Sequence, residues 1–267
     1  MAKQQKSVEV NEDERRFLSD SEFSTTLDEY VRAGYQALLI PTAEESRIEN
    51  ELQQLARNLS TDDAPIGYVG WDCAEGFSGP AKARNQIKFM NPLEALQAIV
   101  DDSANACFSG DAFFHFKDLT DFQGDPTVRR MIRSLCENNR LVYNRWRRTL
   151  IITSPSDKLH DHLKSCISVV DFKLPGEEML RRVLDTVRQS IGRNGHSDRA
   201  ACSDELADDI VAALRGLTSI EAENTLARCL VRHKRFIPEI LATIRDEKAQ
   251  IIKKSALLTY IPEPRQA

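Results

Sequence analysis

The chain has 267 residues, of which 41% are hydrophobic and 29% charged, an ordinary globular balance with material for one α/β core and a smaller appendage. Its net charge of −5 argues against bulk affinity for nucleic acid or an acidic membrane, and no apolar run approaches the roughly 20 residues needed to cross a bilayer. Residues 1–16 hold neither an apolar segment nor a small-residue cleavage pattern, so no secretion signal, no membrane insertion and a cytoplasmic location are expected.

Residues 1–22 are polar and read as a flexible arm. A short helix is expected over 25–33, closed by Gly34, and the apolar run Tyr35 to Ile40 reads as a strand buried on both faces and stopped by Pro41. Thr42 and Glu45 have the spacing of a capping box, which opens a helix over 43–59 with Ile48, Leu52, Leu55 and Leu59 on one face. Ile66 to Trp71 is the second strand. Residues 72–90 are rich in Gly, Ala and polar groups and read as an irregular excursion offering a partner or ligand surface, before a helix at 92–101 that starts at Asn91-Pro92.

Ala112 to Phe116 (AFFHF) is the third strand, followed by Lys117-Asp118 and a helix over 126–139. Thr149 to Thr153 is the fourth, a short helix is expected around 157–165, and Ser168 to Phe172 is the fifth. Strands alternating with helices imply right-handed crossovers and a mainly parallel sheet. After Pro175 only helical patterns follow, near 176–191, 203–213, 219–232 and 236–253, punctuated by Gly192, Gly195 and Gly216. The tail carries two prolines and no apolar stripe.

Six cysteines lie far apart with no C-x-x-C pair and read as reduced, mostly buried thiols. His160 and His162 bracket Asp161, an arrangement that reads as an exposed helix start and not as a ligand set, so no metal is expected. No G-x-G-x-x-G or G-x-S-x-G occurs.

The strand order, together with Phe172-Lys173-Leu174-Pro175 leading into an acidic helix start at Gly176-Glu177-Glu178, resembles an AAA-plus ATPase. Segments 38–52, 113–135, 147–159 and 216–231 narrow the likeness to the N-terminal half of the FtsH-like AAA ATPases of cyanobacteria and algal plastids. The resemblance implies an α/β, AAA-plus-like (P-loop NTPase-type) fold: a mainly parallel five-stranded sheet sandwiched by helices over 23–175, a small α-helical lid over 176–256, and a linker or tail over 257–267. It also implies a second, intact AAA-plus domain after this module, so the chain reads as a fragment or a separate half. An algal origin would move the expected location to the plastid stroma.

Such an ATPase needs G-x-x-x-x-G-K-[ST] after its first strand, because backbone amides and a lysine must neutralise the phosphates. Residues 41–47 read PTAEESR instead. Thr42, Glu44, Glu45 and Arg47 stand at the degenerate nucleotide loop, where two carboxylates at a helix N-terminus repel a triphosphate and Arg47 is expected to pair with Glu44 or Glu51 on the surface. Lys117 and Asp118 occupy the position of the magnesium-binding acidic pair, where Asp118 reads as a helix cap or structural group in preference to a catalytic one. Thr153 and Ser154 fall at the polar sensor, only Lys164 stands near the arginine-finger position, and Thr218 with Glu221 forms another capping-box pattern.

The expected activity is therefore that of a non-hydrolysing module that positions or regulates an active AAA-plus domain or subunit, or self-associates. No cofactor is expected in this chain, and ATP with magnesium enters only at family level. The alternatives are an ATPase with an unconventional pocket and a nucleic-acid adaptor. The second would use the basic stretch Arg129, Arg130, Arg133, Arg140, Arg145, Arg147 and Arg148, for which a solvated face or a protein partner is the favoured reading, nucleic acid the disfavoured one.

Overall fold

The computed structural model describes residues 21–78, 89–101, 107–108, 110–140, 148–193 and 200–259. The expected arm before Ser21 and the tail beyond Thr259 lie outside them, as do most of the excursion between Ser78 and Phe89 and Gly195. By compactness the chain divides into two units, Met1–Phe172 and Lys173–Ala267.

In the first unit, helix α1 (Ser21–Arg32) leads to strand β1 (Ala37–Pro41), helix α2 (Glu45–Leu59), strands β2 (Ile66–Asp72) and β3 (Gly76–Ser78) and helix α3 (Pro92–Val100). Strand β4 (Asp111–Lys117), a 3-10 turn at Leu119–Phe122, helix α4 (Pro126–Arg140) and strands β5 (Arg148–Ser154) and β6 (Ser168–Val169) complete it. The sheet order is β3-β2-β4-β5-β1-β6, parallel throughout except for β3.

The apolar run of β1 is explained by its place. It pairs with β5 on one side and β6 on the other, and both of its faces are covered. Leu38 and Ile40 meet Phe23 and Leu27 of α1 and Ile48, Leu52 and Leu55 of α2. Ala37 and Leu39 face Leu96 and Ile99 of α3 and Val128, Ile132 and Leu135 of α4. The same alternation divides Phe113 from Phe114 on β4 and Ile151 from Ile152 on β5. Removing Ile48, Leu52 and Leu55 from water stabilises the α2 contact by roughly 1.5–3 kcal/mol each.

The structure corrects four details of the sequence reading. A sixth strand, β3, lies inside the excursion, where it is antiparallel to β2 through Gly70↔Ser78 and Asp72↔Gly76. Three residues containing a glycine at φ 77° carry too little periodic signal to read as a strand. The helix expected around 157–165 is replaced by turns over 161–166. Its backbone amides are taken by side chains outside the segment: Ser156 Oγ accepts from Lys158 N at 3.2 Å and Gln123 Oε1 from His160 N at 2.6 Å. β6 ends at Val169, not at 172, because Phe172 turns into an edge contact with Phe23, centroids 4.7 Å apart. The last helix begins at Ile240 instead of 236, since Lys234 sits in the left-handed region (φ 63°) and Pro238 cannot continue a preceding helix.

The second unit contains α5 (Glu177–Arg193), α6 (Asp204–Leu214), α7 (Ser219–His233) and α8 (Ile240–Thr259). They enclose their own core of Leu180, Leu184, Ile210, Leu214, Leu226 and Ile244. Ser203 caps α6, accepting from Leu206 N, and Thr218 with Glu221 forms the full capping box expected at α7.

Candidate functional site

In a parallel sheet of this type, ligands bind beyond the carboxyl ends of the central strands. Here that rim is made by the β1–α2 junction and the ends of β4 and β5, and every candidate site residue outside the basic stretch falls on it.

The junction is short. Thr42 N donates to Ser154 O at 2.7 Å, which ties the loop to the end of β5. Thr42 Oγ1 accepts from Glu44 N at 3.0 Å, so the hydroxyl is engaged before the helix begins. The expected Thr42/Glu45 capping box therefore does not form: α2 starts at Glu45, with Glu44 at the N-cap and no side-chain cap bond.

Glu44 is buried, and its Oε2 accepts from Arg47 Nη1 at 2.8 Å, with side-chain exposures of 3% and 9%. The Arg47 guanidinium also lies over the Phe172 ring, 4.0 Å from its centroid. The pair is thus internal and not at the surface. Its cause is Phe172, which leaves the sheet edge and roofs the guanidinium. Where a phosphate loop presents open amides and a lysine, this chain holds a carboxylate already neutralised by its own arginine.

Lys117, at the end of β4, approaches Glu45 Oε2 at 3.5 Å and Glu49 Oε2 at 3.9 Å, so its charge is directed at the first turns of α2. Asp118 follows in the left-handed region (φ 54°), and its N–H donates to Thr153 O at 2.8 Å. It occupies the N-cap of the 3-10 turn, yet its carboxylate makes no cap bond, so the capping role expected of the side chain is not realised. Burial raises the Asp118 carboxyl pKa, Asp121 adds to the rise and Lys117 opposes it.

Both sensor-position hydroxyls are engaged internally. Ser154 Oγ accepts from Thr120 Oγ1 at 2.8 Å. Thr153 Oγ1 is 2.9 Å from His115 Nε2, and His115 Nδ1 is 2.9 Å from the Tyr68 hydroxyl. Burial, with a smaller contribution from Lys117, lowers the His115 pKa to about 3. The imidazole is therefore neutral, with one ring nitrogen donating and the other accepting. Burial also raises the Tyr68 phenol, and Glu49 and Glu45 add to that rise. Sequence reasoning missed this chain of polar groups. The available signal was one histidine within the apolar run AFFHF, and its partners come from β2 and β5, which only the sheet brings beside it.

Among the described residues the basic stretch does not converge on a site. Arg148 is buried and donates to the carbonyls of Ile99 (2.6 Å), Asp101 (2.8 Å) and Phe108 (3.1 Å), which corrects its reading as an interaction residue. The β5 start is stitched to the end of α3 by this one side chain. Arg129 donates to the carbonyls of Gln123 and Gly124 at 2.7 and 2.8 Å. Arg130 and Arg133 share Glu137 at 3.4 and 3.8 Å. Arg145 and Arg147 lie outside the described residues, and so does the Arg140 side chain. His160 and His162 stand in turns with ring centroids 4.8 Å apart, and among the described residues no three His, Cys, Asp or Glu side chains group as a metal site. No described helix is long and apolar enough to cross a membrane.

Comparison with known proteins bears on the family and the fold. The profile of the SpoVK-like AAA ATPase N-terminal domain matches residues 23–172, and that of the SpoVK-like AAA ATPase second domain matches residues 177–255. The chain is 24% identical over 239 residues to the uncharacterized AAA domain-containing protein ycf46 of Trieres chinensis, a match covering 89% of this chain and 44% of the relative. It is 23% identical to the ycf46 protein of Guillardia theta, over 86% of this chain and 42% of the relative. The chain thus spans less than half the length of the curated relatives it matches. Among solved structures it is similar to C. elegans PCH-2, with a TM-score of 0.54 at 13% identity, covering 91% of this chain and 73% of that one. It is also similar to a chain of the E. coli MS115-1 HORMA:CdnC:Trip13 complex, with a TM-score of 0.51 at 10% identity, covering 83% and 76%. At these identities the two structures support the AAA-plus fold alone.

Proposed function

The chain belongs to the SpoVK-like AAA ATPases, and from that membership we propose that it is a non-hydrolysing module which assembles with, positions or regulates an active AAA-plus ATPase domain or subunit. The observation that carries this reading is the buried Glu44–Arg47 pair at the start of α2. Catalysis of phosphoryl transfer is mostly positioning and charge stabilisation, so a site needs open amides and cations aimed at the phosphates. At this rim the arginine is neutralised by Glu44 and roofed by Phe172. Lys117 is directed at Glu45 and Glu49, and the hydroxyls of Thr153 and Ser154 are bound within the protein.

On this reading the module holds neither ATP nor magnesium itself, and its partner supplies both. It works in the cytoplasm, or in the plastid stroma of an algal host. The described arginines of the basic stretch lend little to nucleic-acid binding, since Arg148 is internal and Arg129, Arg130 and Arg133 have partners of their own.

The test is a phosphate-release assay with the 267-residue chain alone, with an intact AAA-plus ATPase domain of the same family, and with both together. The chain alone should release no phosphate above background, and its addition should change the rate of the intact domain. Turnover by the chain alone, or no effect on the intact domain, contradicts the proposal.

A further inference from the structure

The nucleotide rim leaves unexplained two cysteines on the other side of the sheet. Cys136 is buried near the end of α4, and Cys166 is half-buried in the turn that precedes β6. Their contact joins positions 30 residues apart: the Cys136 thiol donates to the Cys166 carbonyl at 3.6 Å, while the Cys166 thiol lies 3.3 Å from Leu163 O. We infer that Cys136 and Cys166 form a peroxide-sensitive thiol pair, in which the half-buried Cys166 reacts first and the buried Cys136 resolves it as a disulfide between α4 and the segment entering β6.

The chemistry of the two sulfurs differs in the required sense. A hydrogen bond from Cys136 lowers the Cys166 pKa to about 7, with help from Arg133, while burial and Glu137 oppose the change. At two other cysteines burial dominates: it pushes Cys229 up to about 11 and also raises Cys202. The thiolate is the nucleophile, so lowering the pKa towards neutrality increases the reactive fraction, although each thiolate becomes intrinsically less nucleophilic.

The step balances with hydrogen peroxide as oxidant. The Cys166 thiolate attacks one peroxide oxygen, the O–O bond breaks, and with one proton the products are a sulfenic acid and water. The Cys136 sulfur then attacks the Cys166 sulfur, the S–O bond breaks, and the Cys136 proton leaves with the hydroxide as a second water. Two thiols and one peroxide thus give one disulfide and two waters. A dithiol reductant reverses the change. The pair is independent of any nucleotide and stands whether or not the proposed function does.

The full chain, treated with a few equivalents of hydrogen peroxide, should lose the mass of two hydrogens, and on alkylation without reduction it should take up two fewer alkyl groups than the untreated chain. Its peptide map should contain a Cys136–Cys166 cross-link that dithiothreitol removes. In Cys136→Ala, Cys166 should accumulate as a dimedone-trapped sulfenic acid, and the midpoint of its alkylation against pH should rise from about 7. A Cys73→Ser background removes the exposed competitor. The inference is overturned if Cys136 and Cys166 are both recovered alkylated while another cysteine is oxidised, or if Cys166 cross-links elsewhere. An alkylation midpoint unmoved by Cys136→Ala also contradicts it.

Discussion

Two helices of this chain open on the same sequence pattern, Thr-x-x-Glu, and only one of them uses it. At α7, Thr218 Oγ1 accepts from Glu221 N at 3.2 Å and Glu221 Oε2 accepts from Thr218 N at 2.9 Å, so local chemistry alone satisfies the helix end. At α2 the same letters, Thr42 and Glu45, do not meet. Thr42 is held by the end of β5, Glu44 turns inward to Arg47, and Glu45 turns outward toward Lys117. The α7 start is a local device. The α2 start is settled by tertiary contacts at the rim where an ATPase of this fold binds its phosphates.

The two starts should respond differently to mutation. The largest effect is expected at α2: Glu44→Ala leaves the buried Arg47 charge without its carboxylate, and should destabilise the protein by about 3 kcal/mol or more in urea unfolding. A loss below about 1 kcal/mol, the size of an ordinary cap, would erase the distinction between the two helices.

Next in size is a pH effect behind the rim. The His115 pKa falls from 6.5 to about 3 on folding, so the unfolded chain binds a proton that the folded chain refuses. The stability present above pH 6.5 is therefore lost as pH falls toward 3, by about 2 kcal/mol between pH 7 and pH 5. Unfolding of His115→Phe over the same range should lack this component.

At α7, Thr218→Ala removes one purely local bond set, and should cost about 1 kcal/mol with no change in pH dependence. The smallest effect belongs to the exposed ion pair: Arg130→Ala should fall within about 0.5 kcal/mol of the parent, because its partner Glu137 is solvated and shared with Arg133.

The same contrast explains how much of the protein was legible in its sequence. The runs that became β1, β4 and β5 are buried on both faces and read directly as strands, and the apolar stripe of α2 identified that helix, whose start the unrealised capping-box pattern still placed within two residues. β3 was invisible because three residues on a sheet edge need no periodic pattern. At the rim, the lack of glycine and lysine in residues 41–47 was plain in the letters, but the burial of Glu44 and Arg47 was not. That burial depends on Phe172, which lies 125 residues further along the chain than Arg47 and leaves its strand early. Arg148 misled for a related reason: it belongs by sequence to a run of arginines, yet it forms the first residue of β5 and reaches inward to three carbonyls. Long-range contacts of this kind leave no mark within a local window.

On the proposed function, the α2 start is closed to a nucleoside triphosphate by its own ion pair. The most direct test is a titration of a fluorescent ATP analogue with magnesium into the purified chain, repeated on Asp118→Ala. No saturable binding to either protein is expected. Micromolar binding by the parent chain that is abolished in Asp118→Ala would contradict it, and would identify the rim as an ATP site of unconventional construction.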